Sequence, residues 1–156
     1  MARRAGVGVL VLIVAAAGID LLGPRTGEAS ADGDGYSLAL EFPQIARAGE
    51  PAPLILDITS EEPVDGPVTV RFCGEFFEHL DFQAWYPTPS AETSETSEVD
   101  RVVYEFDPPA SGTTLHIALD ARVAPGQLGG RDTCEVSVLD RGRPAVTVAW
   151  STWRIP

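Results

Sequence analysis

The segment Leu115-His116-Ile117-Ala118-Leu119-Asp120-Ala121-Arg122-Val123 decides the fold class. Leu115, Ile117, Leu119, Ala121 and Val123 occupy alternate positions, with His116, Asp120 and Arg122 between them. A period of two puts one row of side chains on each face of an extended chain, whereas a helix needs three- and four-residue spacing. The same period recurs in Tyr36-Leu38-Leu40-Phe42, Leu54-Leu56-Ile58, Val68-Val70-Phe72, Val102-Tyr104-Phe106, Cys134-Val136-Val138 and Val146-Val148-Trp150. Turn clusters separate these rows: Ala48-Gly49-Glu50-Pro51, residues 62–67 (EPVDGP), residues 108–112 (PPASG), Ala124-Pro125-Gly126 and residues 140–144 (DRGRP). About seven to eight short strands with such turns predict an all-β antiparallel sandwich over residues 36–156. No amphipathic helix of useful length competes with that reading.

Outward from this core, the N-terminus has a different chemistry. Arg3 and Arg4 precede an unbroken apolar run from Ala5 to Ile19, which Asp20 and Gly23-Pro24 stop. A basic start followed by ~7–15 apolar residues is the layout of an export signal or signal-anchor. Residues 1–31 are therefore expected to be a leader, with Ala29-Ser30-Ala31 as an A-x-A cleavage site and residues 32–35 (DGDG) as a flexible linker. If uncut, residues 5–22 form a hydrophobic anchor helix, a little short of the ~20 residues a span needs. Either way the remainder is expected to be extracytoplasmic, secreted or anchored to the cell membrane, with Arg3 and Arg4 inside.

Charge narrows the partners. The whole chain carries −12, from 11 basic and 23 acidic residues, and every basic residue is Arg. Such a surface repels phosphates, so no nucleic-acid partner is expected. The lack of Lys and Asn fits a GC-rich coding genome.

Cys73 and Cys134 both follow the leader, and a lone pair in an oxidising compartment predicts a disulfide. In sandwich order, residues 53–59 are strand B, 67–73 C, 101–107 D, 113–123 E, 131–139 F and 145–154 G. C and F are antiparallel neighbours in immunoglobulin topology, which brings the two cysteines to one end of a sheet. Cys134 shares parity with Val136 and Val138 while Cys73 shares parity with Arg71, so bridging them calls for a bulge at Cys73-Gly74.

Residues 74–100 interrupt the pattern. Residues 87–100 (PTPSAETSETSEVD) are polar and repetitive, and predict a mobile acidic loop. Before them, residues 75–86 (EFFEHLDFQAWY) hold Phe76, Phe77, Phe82, Trp85 and Tyr86, five of the chain's 12 aromatic residues. These five form the candidate binding surface, with Trp85 and Tyr86 positioned to stack on a sugar or enter a partner's pocket. The competing reading has most of these rings covering the sandwich, where large aromatics are commonest.

No catalytic or metal set stands out. His79 and His116 are the only histidines, with His116 expected outward beside Asp120, and one Met and two Cys cannot complete a copper or zinc site. No G-x-S-x-G is present, and Ser111-Gly112 sits in a turn. Acidic pairs such as Glu61-Glu62 and Glu75/Glu78 carry little specificity in so acidic a chain. No cofactor is expected and the chain is read as not an enzyme. Trp150 is expected in the core and Trp153 outside it or on an edge.

The Ala48-Gly49-Glu50-Pro51 turn before Leu54-Ile55-Leu56-Asp57-Ile58-Thr59, together with the Leu115–Val123 strand, resembles bacterial Ig-like extracytoplasmic domains of the cell-adhesion-related type. The resemblance covers roughly residues 36–156 and implies an Ig-like β-sandwich fold. The function expected from it is a non-enzymatic domain contacting another envelope protein, by analogy of fold. A carbohydrate- or cell-wall-binding module using residues 76–86 is the alternative.

Overall fold

Alternating side chains become strands here because each can bury one row and leave the other in water. The computed structural model describes residues 2–18, 25–95, 100–110 and 112–156. Helix α1 (Ala2–Gly18) precedes ten strands: β1 (Arg25–Gly33), β2 (Tyr36–Arg47), β3 (Leu54–Ser60), β4 (Val68–Cys73), β5 (Leu80–Tyr86), β6 (Ala91–Glu95), β7 (Arg101–Phe106), β8 (Thr114–Val123), β9 (Gly130–Asp140) and β10 (Arg143–Ile155). A one-turn helix, α2 (Glu75–Glu78), joins β4 to β5.

The strands form one curled sheet in the order β5-β8-β3-β2-β10-β9-β4-β7-β6, with β1 paired to β2 off this path. β2 is the bend. Its residues 36–41 run antiparallel to β3, whereas Ile45–Arg47 run parallel to the end of β10. Pro43, which has no backbone N–H to give a ladder, lies in the interval between the two pairings. Consecutive burial of Phe42 and Pro43 marks the place where the alternation slips.

The curl brings the two ends of the strand order together over one core. Leu40, Leu54, Leu56, Ile117 and Leu119 from one half pack with Val70, Phe72, Phe106, Val136 and Val138 from the other. Phe72 on β4 meets Trp85 on β5 with ring centroids 5.5 Å apart. Full burial of each such side chain is worth about 1.5–3 kcal/mol, which makes the inward row the main stabilising element.

Several expectations change. The sheet has ten strands where seven to eight were read. Residues 25–33, placed in the leader and a flexible 32–35 linker, form β1, and only Asp34-Gly35 turn into β2. Residues 91–95 of the expected mobile loop pair with β7 as an edge strand, while residues 96–99 of that loop lie outside the described residues. Strand 101–107 flanks β4, and β5 takes the place beside β8. The leader's Asp20, Gly23 and Pro24 also lie outside the described residues. Helix α1 has 17 residues, and among the described residues no helix is long and apolar enough to cross a membrane.

The disulfide Cys73–Cys134 is present, with Cα atoms 5.6 Å apart. β4 and β9 are antiparallel neighbours, as the strand order required. No bulge in β4 is involved. Its pairing with β9 stops at Phe72↔Val136, so Cys73 lies beyond the ladder, and both cysteines are buried.

Candidate functional site

The aromatic segment does not form a single surface. α2 buries Phe76 at 5% exposure and half-buries Phe77, because the short helix lies over the core end of β9. Phe76 meets Trp150 at 5.8 Å, and Phe77 meets Phe72 edge-on at 5.7 Å. Trp85 points into the same cluster, against Phe72, Phe77, Tyr104 and Phe106. Only Phe82 and Tyr86 stand exposed, at 46% and 62%, on the edge strand β5. Three of the five expected surface rings thus pack inward, as apolar area demands when a sheet curls over them.

A different surface collects the exposed chemistry. On the outer face of β9 and β10, a groove of about 860 Å³ is bounded by Gln44, Arg131, Thr133, Ser151 and Trp153. Alternation explains it: Trp150 and Thr152 point into the core, so Ser151 and Trp153 point out. Trp153 is 63% exposed and is the register partner of Arg131 on β9. The Arg131 Nε–H donates to Ser151 Oγ at 2.8 Å, which fixes the guanidinium on the groove floor. Arg131 is the one charged side chain among the lining residues. A planar aromatic beside an oriented cation suits a ligand with an apolar body and a carboxylate.

Trp153 was legible as an outward residue, but Arg131 lies 22 positions earlier and its partnership depends on the β9–β10 hairpin register. No spacing within either strand signals the groove.

Beneath the same end of the sheet lies a buried ionic cluster. Asp132 on β9 and Arg154 on β10 are 6% and partly exposed respectively, and both face inward. Arg154 Nη2 donates to Asp132 Oδ1 at 3.0 Å, and its Nε donates to Oδ2, making a two-point pair. Arg154 Nη1 also donates to the Leu128 carbonyl at 3.1 Å. Hydrogen bonding to Asp132 holds the Arg154 guanidinium above its ordinary pKa, more than burial lowers it. His79, just after α2, places Nε2 4.0 Å from Asp132 Oδ1. Thr152, the register partner of Asp132, has a buried hydroxyl without a hydrogen-bond partner among the described residues. None of these four residues lines the groove.

His116 lies outward but pairs with Asp57 across β3, Nδ1 to Oδ1 at 2.7 Å, rather than with Asp120. Among the described residues no group of three or more His, Cys, Asp or Glu side chains is placed to hold a metal. Ser111 lies outside the described residues.

No family model matches the chain, and no curated protein matches it. Among solved structures it is similar to one titled "AvmM Catalyzes Macrocyclization in Alchivemycin A Biosynthesis", at 10% identity and a TM-score of 0.42. The match covers 82% of this chain and 96% of that one. The expectation that the chain is not an enzyme is withdrawn: that neighbour is titled for catalysis, and a likeness this distant assigns neither an activity nor the lack of one. No reaction, substrate or residue role passes from it to this chain.

Proposed function

We propose that this chain is an extracytoplasmic module of Ig-like sandwich type that docks an envelope protein on the outer face of β9 and β10. The observation that carries it is Trp153, exposed beside Arg131 in the groove. Trp and Arg are among the residue types that dominate binding hot spots: Trp offers a large rigid contact area with few rotamers to freeze, and Arg a planar fork of hydrogen-bond donors. Since Arg131 is held by a neutral hydroxyl and no acidic side chain lines the groove, the fitting partner brings a carboxylate next to an apolar side chain.

Export is supported by the buried Cys73–Cys134 disulfide, which suits an oxidising compartment, and by the apolar stretch of α1 that follows its Arg3 and Arg4 in a leader pattern. The Ig-like reading is supported by β4 and β9 as antiparallel neighbours and by β2, which leaves β3 to join β10.

The test uses a photo-reactive amino acid at Ser151 in the full chain, with a control position at Thr59 on β3. A single envelope protein joined from position 151 and not from 59, with its purified affinity falling more than tenfold in Trp153→Ala, is the expected result. Equal labelling from both positions rejects the reading.

A second reading has one observation in its favour: Gln44, Thr133 and Ser151 ring Trp153 with hydrogen-bonding groups, a suitable surround for a stacked sugar. Retention on purified peptidoglycan that Trp153→Ala abolishes would favour a cell-wall glycan over a protein. Trp85 cannot serve that test, because its ring belongs to the core cluster.

A further inference from the structure

Ala29-Ser30-Ala31 has the small-x-small form of a leader-cleavage site, yet it lies inside the β1–β2 ladder. We infer that this tripeptide is a structural strand rather than a processing site: the working protein keeps β1, and any removal of α1 cuts before Arg25. The processing half of this inference rests on the export reading above; the strand half stands without it.

Small residues at every second position are what this strand's inner row requires. Gly27, Ala29, Ala31 and Gly33 share one face, and the two alanines pack against the main core cluster. A Cβ on Gly27 would lie 2.7 Å from the Phe42 ring and from the Gln44 side chain. At Gly33 it would lie 2.5 Å from the Ala145 carbonyl oxygen on β10, a backbone atom that cannot swing aside. The A-x-A pattern is thus the middle of a G-x-A-x-A-x-G row fitted between β2 and β10.

Hydrolysis of the Ala31–Asp32 peptide adds one water and leaves a carboxylate at Ala31 and an ammonium at Asp32. Of the nine register pairs between β1 and β2, that cut would leave two, Asp32↔Ser37 and Gly33↔Tyr36. β2 would then present open N–H and C=O groups along residues 38–45, with Leu38, Leu40 and Phe42 beneath them. Bare strand edges of that length invite pairing with other chains. A cut before Arg25 costs none of these pairs.

Two measurements on the full chain expressed in a bacterial host test this. N-terminal sequencing of the protein recovered from the membrane and secreted fractions should give a start at or before Arg25; a start at any later residue, Asp32 above all, overturns the inference. Hydrogen exchange on the intact chain should show residues 27–33 protected at least a hundredfold over an unstructured peptide. Exchange there at the unstructured rate also overturns it. In Gly27→Val that protection should fall. Recovery of the chain only from the cytoplasm would count against the export reading, while the exchange result would still decide the strand.

Discussion

The rings of Trp85 and Tyr104 lie with centroids 4.7 Å apart, although β5 and β7 stand near opposite ends of the strand order. Six strands, from β8 to β4, lie between them in that order, so ladder pairing alone does not bring the two rings together. Their contact closes the curl. Trp85 also meets Phe106 at 5.8 Å and Phe72 at 5.5 Å, which makes it the ring that both halves share.

Trp85→Ala should therefore destabilise the fold by about 3–5 kcal/mol, the usual cost of emptying a large aromatic site. Tyr86→Ala, at the exposed neighbour, should stay within about 0.5 kcal/mol. Urea unfolding followed by tryptophan fluorescence and circular dichroism separates the two, and equal midpoints would contradict the role given to Trp85.

Burial raises the Tyr104 pKa above 10.0, with Glu92 adding to the rise and the Trp85 hydrogen bond opposing it. The folded chain thus holds the phenol proton more tightly than the unfolded chain. Above the unfolded pKa the native state binds more protons, so stability falls as pH rises through that value. Tyr104→Phe should flatten this alkaline loss. The check is a set of thermal midpoints from about pH 8 to 11, spanning the ordinary tyrosine range. Parallel curves for both proteins would be the contrary result.

Cys73 and Cys134 close a loop across 61 positions, linking the end of β4 to β9. Opening it by reduction, or by Cys73→Ala with Cys134→Ala, should cost about 2–5 kcal/mol. Guanidinium unfolding with and without reductant reads the change. The intact chain should give no thiol labelling under denaturation.

Arg154→Met leaves the Asp132 carboxylate buried without its two-point partner, which should cost about 3–5 kcal/mol. The double variant Arg154→Met with Asp132→Leu should recover most of that loss, since an apolar pair needs no partner. Chemical denaturation of the unaltered chain, both single variants (Arg154→Met and Asp132→Leu) and the double variant completes the cycle. A double variant as unstable as the single one would point to a tie beyond this pair.

β6 is an outer strand whose five residues are all exposed, and Glu92 and Glu95 put charge along it. Charged edges discourage sheet-to-sheet association. Glu92→Val with Glu95→Val should give concentration-dependent assembly in light scattering at unchanged secondary structure. Lasting monodispersity would assign the protection to another feature.

Hydropathy accounts for the part of the fold that is legible in the sequence. Rows such as Leu54-Leu56-Ile58 and Leu115–Val123 announce strands because they alternate across a solvent boundary, and the paired cysteines fit the neighbouring strands that hold them. β1 and β6 do not announce themselves. The first has an inner row of Gly and Ala with no apolar contrast; the second has no buried row at all. Trp85 and Phe76 look like surface residues only because they adjoin Glu75, Glu78 and Asp81; the tertiary curl decides otherwise. The groove was hidden for a further reason: Arg131 and Trp153 become neighbours through register, which no local pattern encodes.

Ile45 is register partner to both Arg25 and Trp153, so the three stand in a row across the sheet. Two strand spacings, about 10 Å, then separate the backbone of the first residue of β1 from that of Trp153. A bulky group joined to the Arg25 end of β1 would therefore stand close enough to screen Trp153 from a partner.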